Sequence, residues 1–279
     1  MGLYRPDRVH TAPSTVRERL ISAMVLTPFA VIAVWLGGWM TVALAVVCGG
    51  MAMLEWGRLG HAAGFTGDAS VLQVAGLGVA GLATHLGGLG TGLAVTSLTA
   101  LLVVLVSWSR RGTPWWALFG AYYIGLPVIS FIWLRGSDDL GLSILLCVLL
   151  TVWITDTAAF FVGRMIGGRR LAPRLSPSKT WAGSIGGLAA AALFGVVFAG
   201  FVQAPKFAVA ALSALLSIVA QIGDLLESAI KRRVGVKDSG MLIPGHGGAL
   251  DRLDSLLLAL PIVALVLALE GREVVPWAS

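Results

Sequence analysis

Long apolar stretches recur along the whole chain, and they constrain its fold more than any other feature. Nine can be delimited, at about residues 20–36, 40–56, 71–87, 91–107, 115–134, 140–163, 181–203, 207–227 and 254–269. The hydrocarbon core of a bilayer is about 30 Å thick, and a helix needs roughly 20 apolar residues to cross it. With 57% hydrophobic and 12% charged residues, the composition also lies far from that of a water-soluble domain. The sequence therefore predicts a multi-pass membrane protein.

Helix is the expected structure of these stretches, because a span in lipid must satisfy its own backbone hydrogen bonds. Polar and apolar residues do not alternate as they would in the strands of a membrane barrel. We therefore predict an all-α fold, a polytopic bundle of about nine transmembrane helices. Gly183 and Gly187 lie four residues apart and are expected to let two helices approach closely.

The distribution of Lys and Arg predicts the orientation of the bundle, because cytoplasmic loops carry an excess of these residues. With a cytoplasmic N-terminus and nine alternating spans, only Arg135, Lys206 and Arg272 of the 20 Lys and Arg fall outside. The basic N-terminus could pass for a signal peptide, but no clear cleavage pattern follows, so the first stretch is interpreted as a retained helix. The compact length favours a bacterial inner (cytoplasmic) membrane over an organelle.

Polar groups at membrane depth divide the chain into two parts. They are few in residues 1–140 and many in residues 150–255. We therefore predict that residues 1–140 form helices for packing and membrane embedding, and that residues 141–279 combine transmembrane helices with catalytic loops. Cys48 and Cys147 both lie in apolar stretches and are interpreted as packing residues.

Carboxylates within or at the edges of the apolar stretches are informative, because an unpaired charge in hydrocarbon is costly and usually persists for function. These residues are Glu55, Asp156, Asp224, Glu227, Asp251 and Asp254. In a helix, residues 224, 227, 228 and 231 share one face, and residues 251 and 254 share another. Two such acidic faces lie at the ends of consecutive spans and are joined by a loop rich in Lys and Gly. This arrangement is typical of a site that holds divalent cations through oxygen ligands.

Such a site suits phosphoryl or nucleotidyl transfer, in which metals neutralise phosphate oxygens and cations stabilise the leaving group. Taken singly, each residue also has a structural interpretation: Asp251 or Asp254 could cap a helix, and the basic residues could follow the positive-inside rule alone. Glycines 235, 240, 245, 247 and 248 could be turn formers, since no Walker-type spacing is present. A transporter or channel would place its carboxylates near the midplane. The clustering of charge toward one face favours the enzyme.

Residues 228–254 contain a dense polar motif. It runs Ser228-Ala229-Ile230-Lys231-Arg232, then Lys237-Asp238, then Pro244-Gly245-His246-Gly247-Gly248, and finally Asp251-Arg252-Leu253-Asp254. The motif resembles the sequence pattern of the phosphatidate cytidylyltransferase (CDP-diacylglycerol synthase) family. A looser patch, Asp156-Thr157, Phe160, Gly163-Arg164 and Ser176-Pro177-Ser178-Lys179-Thr180-Trp181, resembles the family's other cytoplasmic loop. Many members have a basic residue or Asn in place of Ser178 and Glu in place of Ala182, so neither position is assigned a catalytic role.

The resemblance implies a specific reaction. CMP is transferred from CTP to phosphatidic acid, which gives CDP-diacylglycerol and pyrophosphate and requires a divalent cation, normally Mg²⁺. The implied partners are these two substrates and membrane lipid, with no nucleic acid, and a homodimer is one option. The nearer alternatives are other CTP-using lipid enzymes, such as a polyprenol kinase or an ether-lipid cytidylyltransferase.

Site residues follow from the carboxylates and the motif together. Asp224 and Asp251 are the predicted principal metal ligands, with Asp254 and Glu227 as further ligands or helpers. The predicted catalytic residues are Asp224, Asp251, Lys231 and Lys237. The predicted substrate-binding residues are Ser176, Lys179, Thr180, Ser228, Arg232, Asp238, His246 and Arg252. The sequence leaves open whether Asp156 is a metal ligand or a structural ion-pair partner.

Overall fold

Helices form nearly all of the part of the chain that the computed structural model describes, which is residues 28–61, 65–136, 138–240 and 247–277. Residues 28–36 form α1. The long helices are α2 (Gly38–His61), α3 (Gly67–Gly87), α4 (Leu89–Ser109), α5 (Pro114–Arg135), α6 (Asp139–Ile166), α7 (Trp181–Phe201) and α8 (Lys206–Val234). Two shorter helices, α9 (Leu250–Leu253) and α10 (Leu256–Glu270), and a 3₁₀ turn (Arg272–Val274) follow. The predicted helical bundle is confirmed.

Seven of these helices, α2 to α8, are long and apolar enough to cross a membrane. They correspond to the second to eighth predicted stretches. The first stretch lies partly outside the described residues. The ninth corresponds to α10, whose 15 residues extend about 22 Å, less than the roughly 30 Å of a hydrocarbon core. The multi-pass fold is therefore confirmed, and the count of nine spans stays a prediction.

A short β-hairpin between α6 and α7 departs from the all-α prediction. Strand β1 (Arg170–Ala172) pairs antiparallel with β2 (Ser176–Thr180), so that Arg170 lies opposite Thr180 and Ala172 opposite Ser176. The strands lie outside the apolar stretches and are too short for a hydrophobic alternation to reveal them. At the end of the hairpin, the Thr180 hydroxyl accepts a hydrogen bond from the Gly183 N–H at 3.1 Å and caps α7.

Alternating helix directions bring the two motif-bearing loops to the same end of the bundle. Near the end of α8, the Arg232 side chain donates to the backbone oxygen of Leu175 in the hairpin at 3.3 Å. At the opposite end, the Arg135 guanidinium donates to the backbone oxygens of Val34 and Trp35 at 2.6 and 2.9 Å. The hairpin and the C-terminal end of α8, which belong to the predicted 164–180 and 228–252 loops, are therefore neighbours, as their shared side of the predicted topology requires.

Two apolar clusters connect the N-terminal helices to the C-terminal ones. The first joins α5, α6, α8 and α10 and includes Leu134, Leu145, Leu216 and Leu260. The second joins α2, α3 and α5 to the α9 and α10 region and includes Trp56, Ile124, Leu250 and Leu257. Because lipid tails are as apolar as these side chains, close packing rather than water exclusion stabilises the contacts within the bilayer. This packing fixes α2 beside the segment that precedes α9.

Glycines let α7 lie directly against the backbone of α6, as their spacing predicts. A Cβ atom on Gly183 would lie 2.6 Å from the Ala159 carbonyl oxygen, and one on Gly187 would lie 2.8 Å from that of Thr155. Real Cβ atoms do not approach an oxygen so closely. The wall that α6 and α7 form beside the candidate site therefore depends on these glycines.

We expect Gly187→Ala to destabilise the α6–α7 packing, because its new methyl group forces the two backbones apart. Overpacking of this kind typically costs about 1–3 kcal/mol. Gly200→Ala is the matched control, since Gly200 lies on the same helix and a Cβ there meets nothing within 4 Å. Thermal unfolding in detergent should show a lower midpoint for Gly187→Ala only. Equal midpoints for the two variants would contradict the close contact.

Candidate active site

Three carboxylates form an acidic cluster near the end of α8. Asp224 and Glu227 lie one turn apart on α8, and Asp254 lies at the junction of α9 and α10. One carboxylate oxygen from each of the three lies within 4.8 Å of the other two. Glu227 is fully buried, and its Oε1 has no hydrogen-bond partner among the described residues. Since like charges this close repel unless protons or a cation neutralise them, the cluster could hold a metal ion. Asp224, Glu227 and Asp254 are thus brought together as the sequence predicts.

Gly223 explains how α8 and the α9–α10 junction come so close. A Cβ atom at this position would lie 2.9 Å from the backbone oxygen of Asp254 and 3.3 Å from that of Ser255. A larger residue would push the junction away from α8. The absence of a side chain at residue 223 therefore helps to place Asp254 beside Asp224.

Lys231 joins the acidic cluster to Asp251. Its ammonium nitrogen lies 2.8 Å from Oε2 of Glu227 and 2.6 Å from Oδ1 of Asp251. Asp251 also accepts hydrogen bonds from the backbone N–H groups of Ser239 and Gly248 at 3.0 and 3.3 Å. Burial acts to raise the pKa of Asp251, but the Lys231 ammonium and the Ser239 N–H outweigh it and hold that pKa below its usual value. Asp251 is therefore held by one ammonium group and two backbone N–H groups.

Asp251 and Asp254 share a face in the sequence prediction, but they have different partners in the structure. Asp254 belongs to the acidic cluster, whereas Asp251 contacts Lys231 and backbone N–H groups. Lys231 lies between Asp251 and Glu227. The role of Asp251 as a principal metal ligand stays a prediction.

A cavity of about 570 Å³ opens beside Asp224, between α6, the hairpin, α7 and α8. On its wall, the Asp224 carboxylate forms an ion pair with Lys179 of β2. Asp156, also on the wall, accepts a hydrogen bond from the Ser255 hydroxyl at 3.3 Å. The other polar lining residues are Arg164, Ser178, Thr180, Ser184 and Gln221. Cations, hydroxyls and a helix N-terminus at one cavity are suited to binding phosphate.

The other predicted site residues lie around these groups. Lys237, Asp238, Arg232 and Arg252 are exposed, and Ser176 and Ser228 are half-buried. Predicted substrate contacts by these side chains stay predictions. His246 lies outside the described residues.

Ser184 and Gln221 are polar residues of the cavity that lie outside the family-like stretches singled out in the sequence. The hydroxyl of Ser184 on α7 donates to the side-chain oxygen of Gln221 on α8. The Gln221 amide in turn donates to the Ser217 hydroxyl at 3.2 Å. Gln221 lies one turn before Asp224 within an apolar span, so the criterion applied to the carboxylates, a polar group at membrane depth, could have found it.

Comparison with known proteins agrees with the resemblance carried by residues 228–254. A protein of Brucella suis biovar 1 (strain 1330) named phosphatidate cytidylyltransferase is 41% identical over 270 residues, 95% of this chain and 98% of that protein. One of the same name from Staphylococcus aureus (strain COL) is 33% identical over 209 residues, 73% and 80% of the two chains. Another from Bacillus subtilis (strain 168) is 42% identical over 151 residues, 53% and 56%. A model of the cytidylyltransferase family matches residues 17–269. The chain belongs to the cytidylyltransferase family.

Proposed function

We propose that the protein transfers CMP from CTP to phosphatidic acid and releases pyrophosphate. The observation that carries this proposal is the acidic cluster beside a cavity lined by Lys179, in which Asp254 and Lys179 belong to the stretches that resemble the family. Relatives named phosphatidate cytidylyltransferase match nearly the whole chain and support the choice of substrates. The product that stays in the membrane is CDP-diacylglycerol.

The acidic cluster is the proposed site of a divalent cation, and we propose Mg²⁺. Carboxylate oxygens are the ligands that this ion prefers, and the buried Oε1 of Glu227, which has no hydrogen-bond partner among the described residues, fits a cation site. Asp224, Glu227 and Asp254 would hold the ion, with Asp251 as a further candidate ligand. When bound, a divalent cation would neutralise negative charge on the phosphate oxygens and on the departing pyrophosphate.

Basic side chains around the cluster are proposed to bind and orient the phosphates. Lys179 lies on the cavity wall at the N-terminus of α7, where an incoming phosphate would meet both its ammonium and the helix end. Exposed Lys237 and Arg232 would approach the nucleotide from the aqueous side. With both substrates held in line, a phosphatidate oxygen forms the bond to the α-phosphorus of CTP as the bond to pyrophosphate breaks. No covalent enzyme intermediate is needed.

A second cavity supports a lipid as one of the substrates. It has a volume of about 330 Å³ and is lined only by apolar residues, from α1, α2, α5, α6 and the α9–α10 region. Its lining includes Leu253 and Leu256, which flank the junction that bears Asp254. We propose that acyl chains enter this groove sideways from the bilayer while the phosphate group reaches the acidic cluster. A site at the membrane boundary then serves both substrates.

The protein is proposed to lie in a bacterial inner membrane with its site facing the cytoplasm, because CTP is available there. We expect an impermeant maleimide on intact cells to label Lys206→Cys but neither Ser178→Cys nor Arg233→Cys. All three residues are exposed, and Lys206 begins α8 at the end opposite the hairpin and Arg233. A background with Cys48 and Cys147 replaced by Ala removes the native thiols, and permeabilised cells should show labelling at all three. Labelling of Ser178→Cys in intact cells would show that the topology is the reverse of the one proposed.

CTP turnover by the purified protein in detergent micelles tests the proposed reaction. With phosphatidic acid present, we expect one pyrophosphate released for each CDP-diacylglycerol formed, and no release without the lipid. Formation of CDP in place of pyrophosphate would indicate a lipid kinase. Protein that moves a substrate into liposomes and never consumes CTP would indicate a transporter.

A further inference from the structure

Glu55 is a buried carboxylate that the proposed mechanism does not use. It lies on α2 and is fully buried, and none of the ion pairs between described residues includes it. A buried carboxylate is costly unless hydrogen bonds stabilise it. The contacts that Glu55 makes are therefore informative about its role.

Glu55 accepts hydrogen bonds from Ser239, in the segment that connects α8 to α9, and from Leu250, the first residue of α9. Its Oε2 accepts from the Ser239 hydroxyl at 3.1 Å and from the Leu250 backbone N–H at 2.9 Å. Leu250 directly precedes Asp251, and the Ser239 N–H donates to Asp251. Polar contacts thus run without a break from Glu55 through Ser239, Asp251 and Lys231 to Glu227 of the acidic cluster.

Two glycines of this segment lie directly against the Glu55 carboxylate. A Cβ atom on Gly240 would lie 2.6 Å from Oε1 of Glu55, and one on Gly248 would lie 2.7 Å from Oε2. A side chain at either position would displace the segment or the carboxylate. The lack of a side chain at these two positions therefore makes room for the Glu55 carboxylate, in addition to allowing a turn.

We infer that Glu55 is a positioning residue for CMP transfer, holding the described part of this segment and the start of α9 so that Asp251 and Lys231 keep their places beside the acidic cluster. The inference rests on the proposed function for its catalytic part. It gives the N-terminal part of the chain a role in the site in addition to packing. Glu55 acts through Ser239 and Leu250, and Asp251 and Lys231 lie between it and the acidic cluster.

Glu55→Ala removes the acceptor of both hydrogen bonds, and we expect kcat to fall roughly 10- to 100-fold, the usual cost of losing a residue that orients a catalytic group. Glu55→Gln keeps the side-chain volume and one carbonyl oxygen, so it should restore most of the loss. Gln73→Ala is the matched control: Gln73 is also fully buried in the N-terminal part, but its amide donates to Ala117 instead of the 239–250 segment. It should lower stability and leave kcat of the folded protein unchanged.

Hydrogen exchange of the Leu250 amide reports the position of the segment without any turnover. Exchange should be faster in Glu55→Ala than in the unmodified protein and unchanged in Gln73→Ala. Should Glu55→Ala fail to insert, Ser239→Ala removes one donor without altering α2, and a smaller loss of kcat is expected. If exchange is faster in Glu55→Ala but the unmodified protein makes no CDP-diacylglycerol, the contact is supported and the proposed function is rejected. Wild-type exchange and kcat in Glu55→Ala would overturn the positioning role.

Discussion

Asp224→Asn is expected to lower CMP transfer by about 100-fold or more while leaving the protein in the membrane. Asn keeps nearly the same volume and one oxygen, but it lacks the negative charge that holds a divalent cation. Losing a group that only orients a metal ligand already costs roughly 10- to 100-fold, and a direct ligand should cost more. Turnover of CTP on phosphatidate, measured at limiting and saturating magnesium, should show a raised magnesium requirement.

Other Asn variants identify which carboxylates act directly. Asp254→Asn should behave like Asp224→Asn. Asp251→Asn should raise the magnesium requirement if Asp251 is a ligand, and should lower kcat alone if it acts through Lys231. Asp138→Asn, at the far end of the bundle, is the control for capping, because Asp138 caps α6 by accepting from the Gly141 N–H at 2.8 Å and Asn caps about as well. Near-normal turnover of Asp224→Asn at limiting magnesium would contradict the metal assignment.

Lys231→Met is expected to lower both activity and stability. From the sequence alone, replacing Lys231 or Lys237 is expected to weaken substrate use and leave abundance unchanged. The contacts of Lys231 lead to a different expectation, because its removal leaves Glu227 and Asp251, whose side chains are only 1% and 16% exposed, without their ammonium partner. Breaking a buried ion pair typically costs about 3–5 kcal/mol. The expected result is a lower unfolding midpoint in detergent together with a lower kcat.

Lys237→Met is the matched control for this stability effect. Lys237 belongs to the same motif but is exposed, so its replacement should raise KM for CTP or phosphatidate and leave the unfolding midpoint unchanged. If both lysine variants unfold at the temperature of the unmodified protein, Lys231 does not stabilise the two buried carboxylates. Its role would then be confined to phosphate binding or topology.

The helices were predictable where the apolar pattern is long. The stretches from 40–56 to 207–227 each correspond to one long helix, because roughly 20 apolar residues leave no alternative to a helical span. The 170–180 hairpin was missed because its strands are too short to carry a periodic signal. The ninth stretch, 254–269, corresponds to α10, whose start is displaced by two residues because Asp254 and Ser255 form a turn between α9 and α10.

The acidic cluster was predictable from two acidic helix faces at the ends of consecutive spans, but the other contacts between helices were not. Helical spacing correctly placed Glu227 and Lys231 on one face, where they form an ion pair. The pairing of Lys179 with Asp224, and of Glu55 with Leu250, depends on which helices are neighbours in three dimensions, and residue periodicity carries no such information.

The most direct test of whether Asp224, Glu227 and Asp254 hold the catalytic cation is the binding of Mn²⁺ to the metal-free protein. Mn²⁺ serves as a paramagnetic substitute for Mg²⁺. Electron paramagnetic resonance can follow the titration without nucleotide, beside CTP turnover at the same Mn²⁺ concentrations. We predict saturable binding over the range that activates turnover, weakened about 10-fold or more in both measurements by Asp254→Asn and unchanged by Asp138→Asn. Identical Mn²⁺ dependence of binding and turnover in Asp254→Asn and the unmodified protein would contradict the account.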